Sequence, residues 1–271
     1  MLVTGASSGI GRATALAFDA AGARVAMAAR RRELLEQNAA RMRQALVVPT
    51  DLTDEGQATA MVERTIEHFG RIDVLINNAA MIPMARADGT RPPLVRRTFE
   101  TNVIGPMVAT NRAVRAMRRQ GRGHVINVGS PGFILGVPLL AAYSMSKAAL
   151  SGWTRCLQAE WAGTEIVVSE YLPGYIDTES EAESDFGALG PDVFDDPDQI
   201  FFARWLTTKQ PAEKVAADLV DCVRRPRLVM YSSPSLRFIL WLARYARLRQ
   251  SMGAKMARTC RKRLNITVFS D

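Results

Sequence analysis

Thr4-Gly5-Ala6-Ser7-Ser8-Gly9-Ile10-Gly11 lies between a short apolar run, Met1 to Thr4, and a helical pattern that starts at Gly9. Glycines at 5, 9 and 11 allow a tight turn, close approach of backbone to a diphosphate and close packing of helix on strand. The helix N-terminus adds free N–H groups and a partial positive charge. Three glycines alone also describe an ordinary turn. A strand before and a helix after make this stretch read as a dinucleotide phosphate loop, with Ser7, Ser8 and Ile10 in its path. Only three residues precede Thr4, so the first strand reads as clipped, and the expected start of the protein lies upstream.

The alternation of short β-rich runs with longer helical patterns continues for most of the chain, the mark of βα units folded into a parallel sheet. Seven runs are predicted as strands: Met1 to Thr4, Arg24 to Ala29, Ala45 to Pro49, Ile72 to Asn77, His124 to Gly129, Glu165 to Tyr171 and Arg227 to Tyr231. Several are nearly all apolar, which suits central strands covered on both faces. Helices are predicted at 9–21, 33–42, 54–69, 94–120, 143–162 and 211–224. The expected fold is α/β, a Rossmann-type doubly wound parallel sheet of about seven strands. It forms one domain over 1–233, with a basic helical C-terminal extension over 234–271.

With 271 residues, 48% apolar and 23% charged, the chain can bury a large core, which excludes disordered, collagenous and disulfide-scaffold classes. Cys156, Cys222 and Cys260 form no metal-binding or disulfide pattern, and His68 and His124 match no metal spacing, so no metal is expected. A reducing, cytoplasmic setting fits, with no leader and no membrane-spanning helix expected. The net charge of +8 is uneven: residues 1–210 carry 22 basic against 23 acidic residues, and residues 211–271 carry 13 against 4. The segment from Asp177 to Asp198 holds nine acidic residues and no basic one. Any partner argument from charge therefore concerns the tail.

At the end of the second strand, where an acidic residue would hold the adenosine ribose hydroxyls of NAD, the chain reads Ala28-Ala29-Arg30-Arg31-Arg32. No carboxylate repels a 2′-phosphate there and Arg30 can pair with one, so NADP is expected over NAD. Arg31 and Arg32 read as a solvated cationic helix start. Asp51, before Leu52, suits an adenine amino group or a helix N-cap. Tyr143 and Lys147, four residues apart, share one helix face. A phenol, with a pKa near 10, needs a neighbouring cation to work near neutrality, and Lys147 can supply it. Ser130 follows an apolar strand at the carboxyl edge of the sheet and could polarise a carbonyl oxygen.

Together these residues resemble the short-chain dehydrogenase/reductase family. The pattern is TGxxxGxG at 4–11, Asp51, Asn77-Asn78-Ala79, Asn102, Ser130, YxxxK at 143–147, and Pro173-Gly174 followed by Thr178. The resemblance covers residues 1 to about 178. It implies a catalytic tetrad of Asn102, Ser130, Tyr143 and Lys147. Tyr143 is then the general acid or base, Ser130 holds the substrate oxygen, Lys147 holds the nicotinamide ribose and lowers the phenol pKa, and Asn102 anchors a water. It further implies Asn78 and Ala79 near the adenosine-side ribose, and Pro173, Ile176 and Thr178 around the nicotinamide. It also implies a lid over 179–208 and a homodimer or homotetramer through the helices at 94–120 and 143–162. Ala80 stands where the family usually has Gly, and the basic tail replaces a glycine-rich ending, which argues against an acyl-carrier substrate.

The apolar residues between the lid's acids, among them Phe194, Phe201, Phe202 and Trp205, fit a hydrophobic alcohol or ketone of steroid, retinoid or long-chain type, and equally simple packing of the lid. The tail from Leu236 to Arg249 fits peripheral contact with an anionic membrane, a cover for the substrate mouth or a subunit contact; nucleic acid fits worst. The expected function is an NADP-dependent oxidoreductase of secondary alcohols and ketones. The rival is a non-catalytic dinucleotide-sensing scaffold that binds a membrane or protein through its tail.

Overall fold

The computed structural model describes residues 1–177, 210–245 and 247–252. The expected lid, Thr178 and the tail beyond 252 lie outside the described residues. In chain order the elements are β1 (Leu2–Thr4), α1 (Gly9–Ala20), β2 (Val25–Ala29), α2 (Arg32–Ala39), β3 (Ala45–Pro49), α3 (Glu55–Phe69), β4 (Val74–Asn77), α4 (Pro92–Phe99), a π-helical turn (Glu100–Ile104), α5 (Gly105–Arg119) and β5 (Gly123–Val128). They continue with α6 (Gly132–Leu135), α7 (Ala141–Glu160), β6 (Ile166–Leu172), β7 (Ile176–Asp177), β8 (Gln210–Pro211), α8 (Ala212–Arg224), β9 (Val229–Tyr231) and α9 (Pro234–Leu242).

All seven expected strands form one sheet in the order β3-β2-β1-β4-β5-β6-β9, with every neighbouring pair parallel. Alternate residues of the central strands point to opposite faces. Val3, Met27, Ile76 and Ile126 join α1 and α8 in one core, with Phe18, Val215 and Leu219. Leu2, Ala26, Leu75 and Val125 join α3 and α5 in the other, with Met61, Val62 and Met117. Truncating a side chain as buried as Phe18 costs about 3–5 kcal/mol. The strand order reverses between β1 and β4, and a doubly wound sheet opens its ligand crevice at the carboxyl ends beside such a reversal.

Two short strands lie outside that sheet. Ile176 pairs with Gln210 and Asp177 with Pro211, so the chain departs toward the lid segment and returns from it side by side.

One helix departs from expectation. The run 94–120 is helical as expected but not regular: α4 passes directly into the π-helical turn, with buried Asn102 inside it, and that turn into α5. Such turns are frequent at functional sites. Here the extra residue serves side-chain bonding, since Asn102 accepts from the Met81 amide at 2.7 Å and donates to the Met81 carbonyl and to Ser146 Oγ, both at 2.9 Å.

Candidate active site

The cleft over the β1–β4 reversal has a volume of about 320 Å³. Gly5, Ser7, Ser8, Gly9, Ile10 and Gly11 line one part of it, with Arg30, Asp51 and Leu52 at the β2 and β3 ends. Asn78, Ala79, Tyr143, Lys147 and Pro173 line the remainder.

The loop is shaped by contact with β1 and β4. Gly5 has φ +68°, and a Cβ there would lie 2.8 Å from Ala79 Cα. A Cβ on Gly11 would lie 2.1 Å from the Gly5 carbonyl oxygen, so helix and turn touch backbone to backbone. Asn78 closes the arrangement. Its Nδ2 donates to the Thr4 carbonyl at 2.9 Å, while Thr4 Oγ1 accepts from the amides of Asn78 and Ala79. Ser8 makes no side-chain cap on α1, which leaves the first-turn amides open to the cleft. A strand end, an uncapped helix start and glycines that no larger residue could replace fit the diphosphate of a dinucleotide.

Two expectations about charge are corrected here. Arg31, read as solvated, is half-buried and lines the cleft. Its guanidinium donates to Ser7 Oγ and Ser8 Oγ, each at 2.8 Å, and so straps the β2 end to the loop. Arg30 is exposed at the cleft wall. Both arginines follow the end of β2 and line the cleft, but the side-chain bonds to the loop are those of Arg31. Asp51 caps no helix: Asp54 holds that place in α3, and Asp51 Oδ1 accepts from the amide and hydroxyl of Thr53.

Across the cleft, Tyr143 and Ser130 share a hydrogen bond, and Ser130 Oγ also accepts from the Gly132 amide at 3.1 Å. Lys147 is buried in α7. Its Nζ donates to the Val128 carbonyl at 2.7 Å and stands 5.8 Å from the centre of the Tyr143 ring. Burial pulls the amine down to about 8, opposed by the charge of Glu170, itself a buried carboxyl on β6 held above the usual range by burial. Burial raises the Tyr143 pKa, opposed by the bond from Ser130.

Asn102 and Ile176 lie outside the cleft lining, and Ser130 is buried beside Tyr143, which lines it. Ile176 is buried in the core with β7 because its strand pairs with β8. Asn102 reaches the site through Ser146, which donates to the Tyr143 carbonyl at 2.7 Å. A buried amide chain missed by sequence reasoning holds the same helices. Asn77 Nδ2 donates to Thr110 Oγ1 and Asn127 Oδ1, and Asn127 Nδ2 donates to Thr154 Oγ1 at 2.9 Å. Arg97 and Thr101, beside the π-helical turn, are further cleft residues without a sequence signal. No group of three or more metal-ligating side chains occurs among the described residues.

Parallel sheet, reversal-point cleft, glycine loop and Ser-Tyr-Lys cluster together define a dinucleotide-binding α/β protein. The chain belongs to the short chain dehydrogenase family, whose profile matches residues 1–186. It is 35% identical over 183 residues to an uncharacterized oxidoreductase of Thermotoga maritima, covering 66% of this chain and 72% of that one. It is also 35% identical over 188 residues to dehydrogenase/reductase SDR family member 7B of Bos taurus, covering 66% of this chain and 58% of that relative's length. Among solved structures, a short-chain dehydrogenase from Streptomyces avermitilis superposes with a TM-score of 0.76 at 30% identity, covering 95% of this chain and 96% of that one.

Proposed function

We propose that the protein is an NADP(H)-dependent oxidoreductase that interconverts a hydrophobic secondary alcohol and its ketone, with Tyr143 as the general acid and base. The observation that carries this reading is the pairing of half-buried Tyr143 with buried Ser130, beside buried Lys147, in the cleft that opens on the glycine loop. The bound dinucleotide supplies or takes up the hydride at its nicotinamide. The chain's own residues then handle one oxygen and one proton. Ser130 Oγ, held by the Gly132 amide, orients the substrate oxygen toward the phenol. A phenol whose pKa is raised stays protonated at neutral pH, the state in which Tyr143 Oη can donate to a ketone oxygen. Lys147, with a pKa near 8, can exchange protons close to neutrality and so reset the phenol. Asn102 and Ser146 fix the backbone that carries Tyr143.

Arg30 is the residue we assign to the 2′-phosphate, with Arg31 as the strut that holds Ser7 and Ser8 in place. The proposed lid over 179–208 would supply the hydrophobic cover for the substrate, and Thr178 the nicotinamide contact. The test is NADPH oxidation with a panel of hydrophobic ketones, set beside Tyr143→Phe. General acid–base catalysis contributes about 10²–10⁴-fold, so the variant should lose that much turnover while still binding NADPH. Equal and negligible rates for both proteins on every ketone, with binding intact, would favour the scaffold reading instead.

A further inference from the structure

Helix α9 carries two apolar faces where a surface helix ordinarily carries one. Leu236, Leu240 and Ala243 are buried and, with half-buried Ile239, pack on Leu135, Leu172, Phe133 and Ile134. That cluster rests on α6, which begins two residues after Ser130. The opposite face is bare. Phe238, Trp241, Tyr245 and Leu248 are 58%, 49%, 56% and 45% exposed. Phe238 and Trp241 lie three residues apart on the helix, Tyr245 follows in the turn after it, and Leu248 lies in the helical segment 247–252. The rings are already arranged: Phe238 stacks on Trp241 with centroids 6.0 Å apart, and Trp241 meets Tyr245 edge-on at 5.9 Å.

The charges around the row have one sign. Arg237, Arg244, Arg247 and Arg249 are exposed beside it, and residues 234–263 contain nine basic residues and no acidic one. Arg237 and Arg244 each stand one residue from a ring of the row, before Phe238 and before Tyr245, and Arg247 and Arg249 flank Leu248.

We propose that this face is a docking surface for an anionic lipid bilayer. Trp, Tyr and Phe would enter the boundary between headgroups and acyl chains, and the arginines would pair with lipid phosphates. A second copy of the chain is the weaker occupant, because a two-fold contact along the row would set its arginines against their own copies. The bilayer supplies both the apolar depth and the negative charge that the face lacks. Since the inner face of α9 lies against the segment that follows Ser130, the contact would set the substrate side of the protein toward the membrane. The proposal stands on the surface alone and not on the activity proposed above.

The test uses the full chain in co-sedimentation with vesicles of phosphatidylcholine alone and of phosphatidylcholine containing phosphatidylglycerol. Binding to the anionic vesicles at least tenfold above the neutral ones, reduced by added salt and lowered at least tenfold in Phe238→Ser/Trp241→Ser, would support the proposal. No binding, equal recovery with both vesicles or an unaffected double variant would overturn it. A double variant that instead lowers the molecular mass measured in solution, without changing vesicle binding, would assign the face to a second copy and also overturn it. Should Phe238→Ser/Trp241→Ser fail to fold, Arg237→Gln/Arg244→Gln decides: loss of the preference for anionic vesicles supports a lipid surface, and an unchanged preference rejects it.

Discussion

Lys147 is joined to Val128: its ammonium nitrogen lies 2.7 Å from the Val128 carbonyl oxygen, so the amine of α7 is fixed to the carboxyl end of β5. This pairing uses the strand end to aim a buried cation.

Glu170 lies on the far side of that pair. It is buried, one of its carboxyl oxygens has no hydrogen-bond partner, and its charge raises the Lys147 pKa against the downward pull of burial. In Glu170→Gln that support disappears and the Lys147 pKa should fall below about 8. The alkaline limb of the pH–rate profile should move to lower pH, and stability should fall while Lys147 is charged, because a buried cation loses its carboxylate partner. An unmoved limb would show that Lys147 does not set it.

The neighbouring arginines should separate by cofactor. Arg30→Ala should weaken NADPH by about 10- to 100-fold and leave NADH nearly unchanged, the loss of a hydrogen-bonded charge being worth about 1.5–3 kcal/mol. Arg31→Ala removes the strap on Ser7 and Ser8 and should weaken both dinucleotides alike. Binding titrations of the two variants with NADPH and NADH check this. Equal effects of Arg30→Ala on both would remove the 2′-phosphate assignment.

Gly11→Ala forces a methyl group to 2.1 Å from the Gly5 carbonyl oxygen, where both partners are backbone. We expect a loss of about 1–3 kcal/mol in stability, together with weakened binding of either dinucleotide. Chemical denaturation and cofactor titration measure the two effects. A fully stable variant that binds normally would mean that helix and turn are less tightly joined than their coordinates indicate.

His124 makes the fold acid-sensitive. Ser169 donates its hydroxyl to the Arg227 carbonyl at 2.6 Å, so at the 2.8 Å contact between Ser169 Oγ and His124 Nε2 the imidazole is the donor. Burial pulls its pKa from 6.5 to about 4. Between those values the unfolded chain binds a proton that the folded chain refuses, so stability falls as the pH falls through that window, by up to about 3 kcal/mol. Urea midpoints at pH 7 and pH 4.5 should differ less in His124→Gln than in the wild type.

The sheet was legible because buried parallel strands read as unbroken apolar runs, and Val125-Ile126 or Leu75-Ile76 could hardly be anything else. The phosphate loop, Tyr143 and Lys147 were legible because their chemistry is tied to fixed spacing. Contacts decided by direction in space were not. Whether Arg30 or Arg31 turns toward Ser7 depends on the backbone path just after β2, and the inward placement of Ile176 depends on pairing with Gln210, thirty-four positions on. The interruption at Asn102 was hidden for a related reason, since helical periodicity across residues 94–120 persists in the sequence while the partners that stabilise the break, Met81 and Ser146, lie on other elements.

That interruption has a genetic corollary. The turn at Glu100–Ile104 holds one residue more than a regular helix needs, so an in-frame loss of a single codon there would let α4 and α5 join as one regular α-helix. The merged rod would swing its upstream half by about 100° and carry Asn102 away from the Met81 amide. A lesion that the helix itself accommodates would thus part Asn102 from Met81 and Ser146.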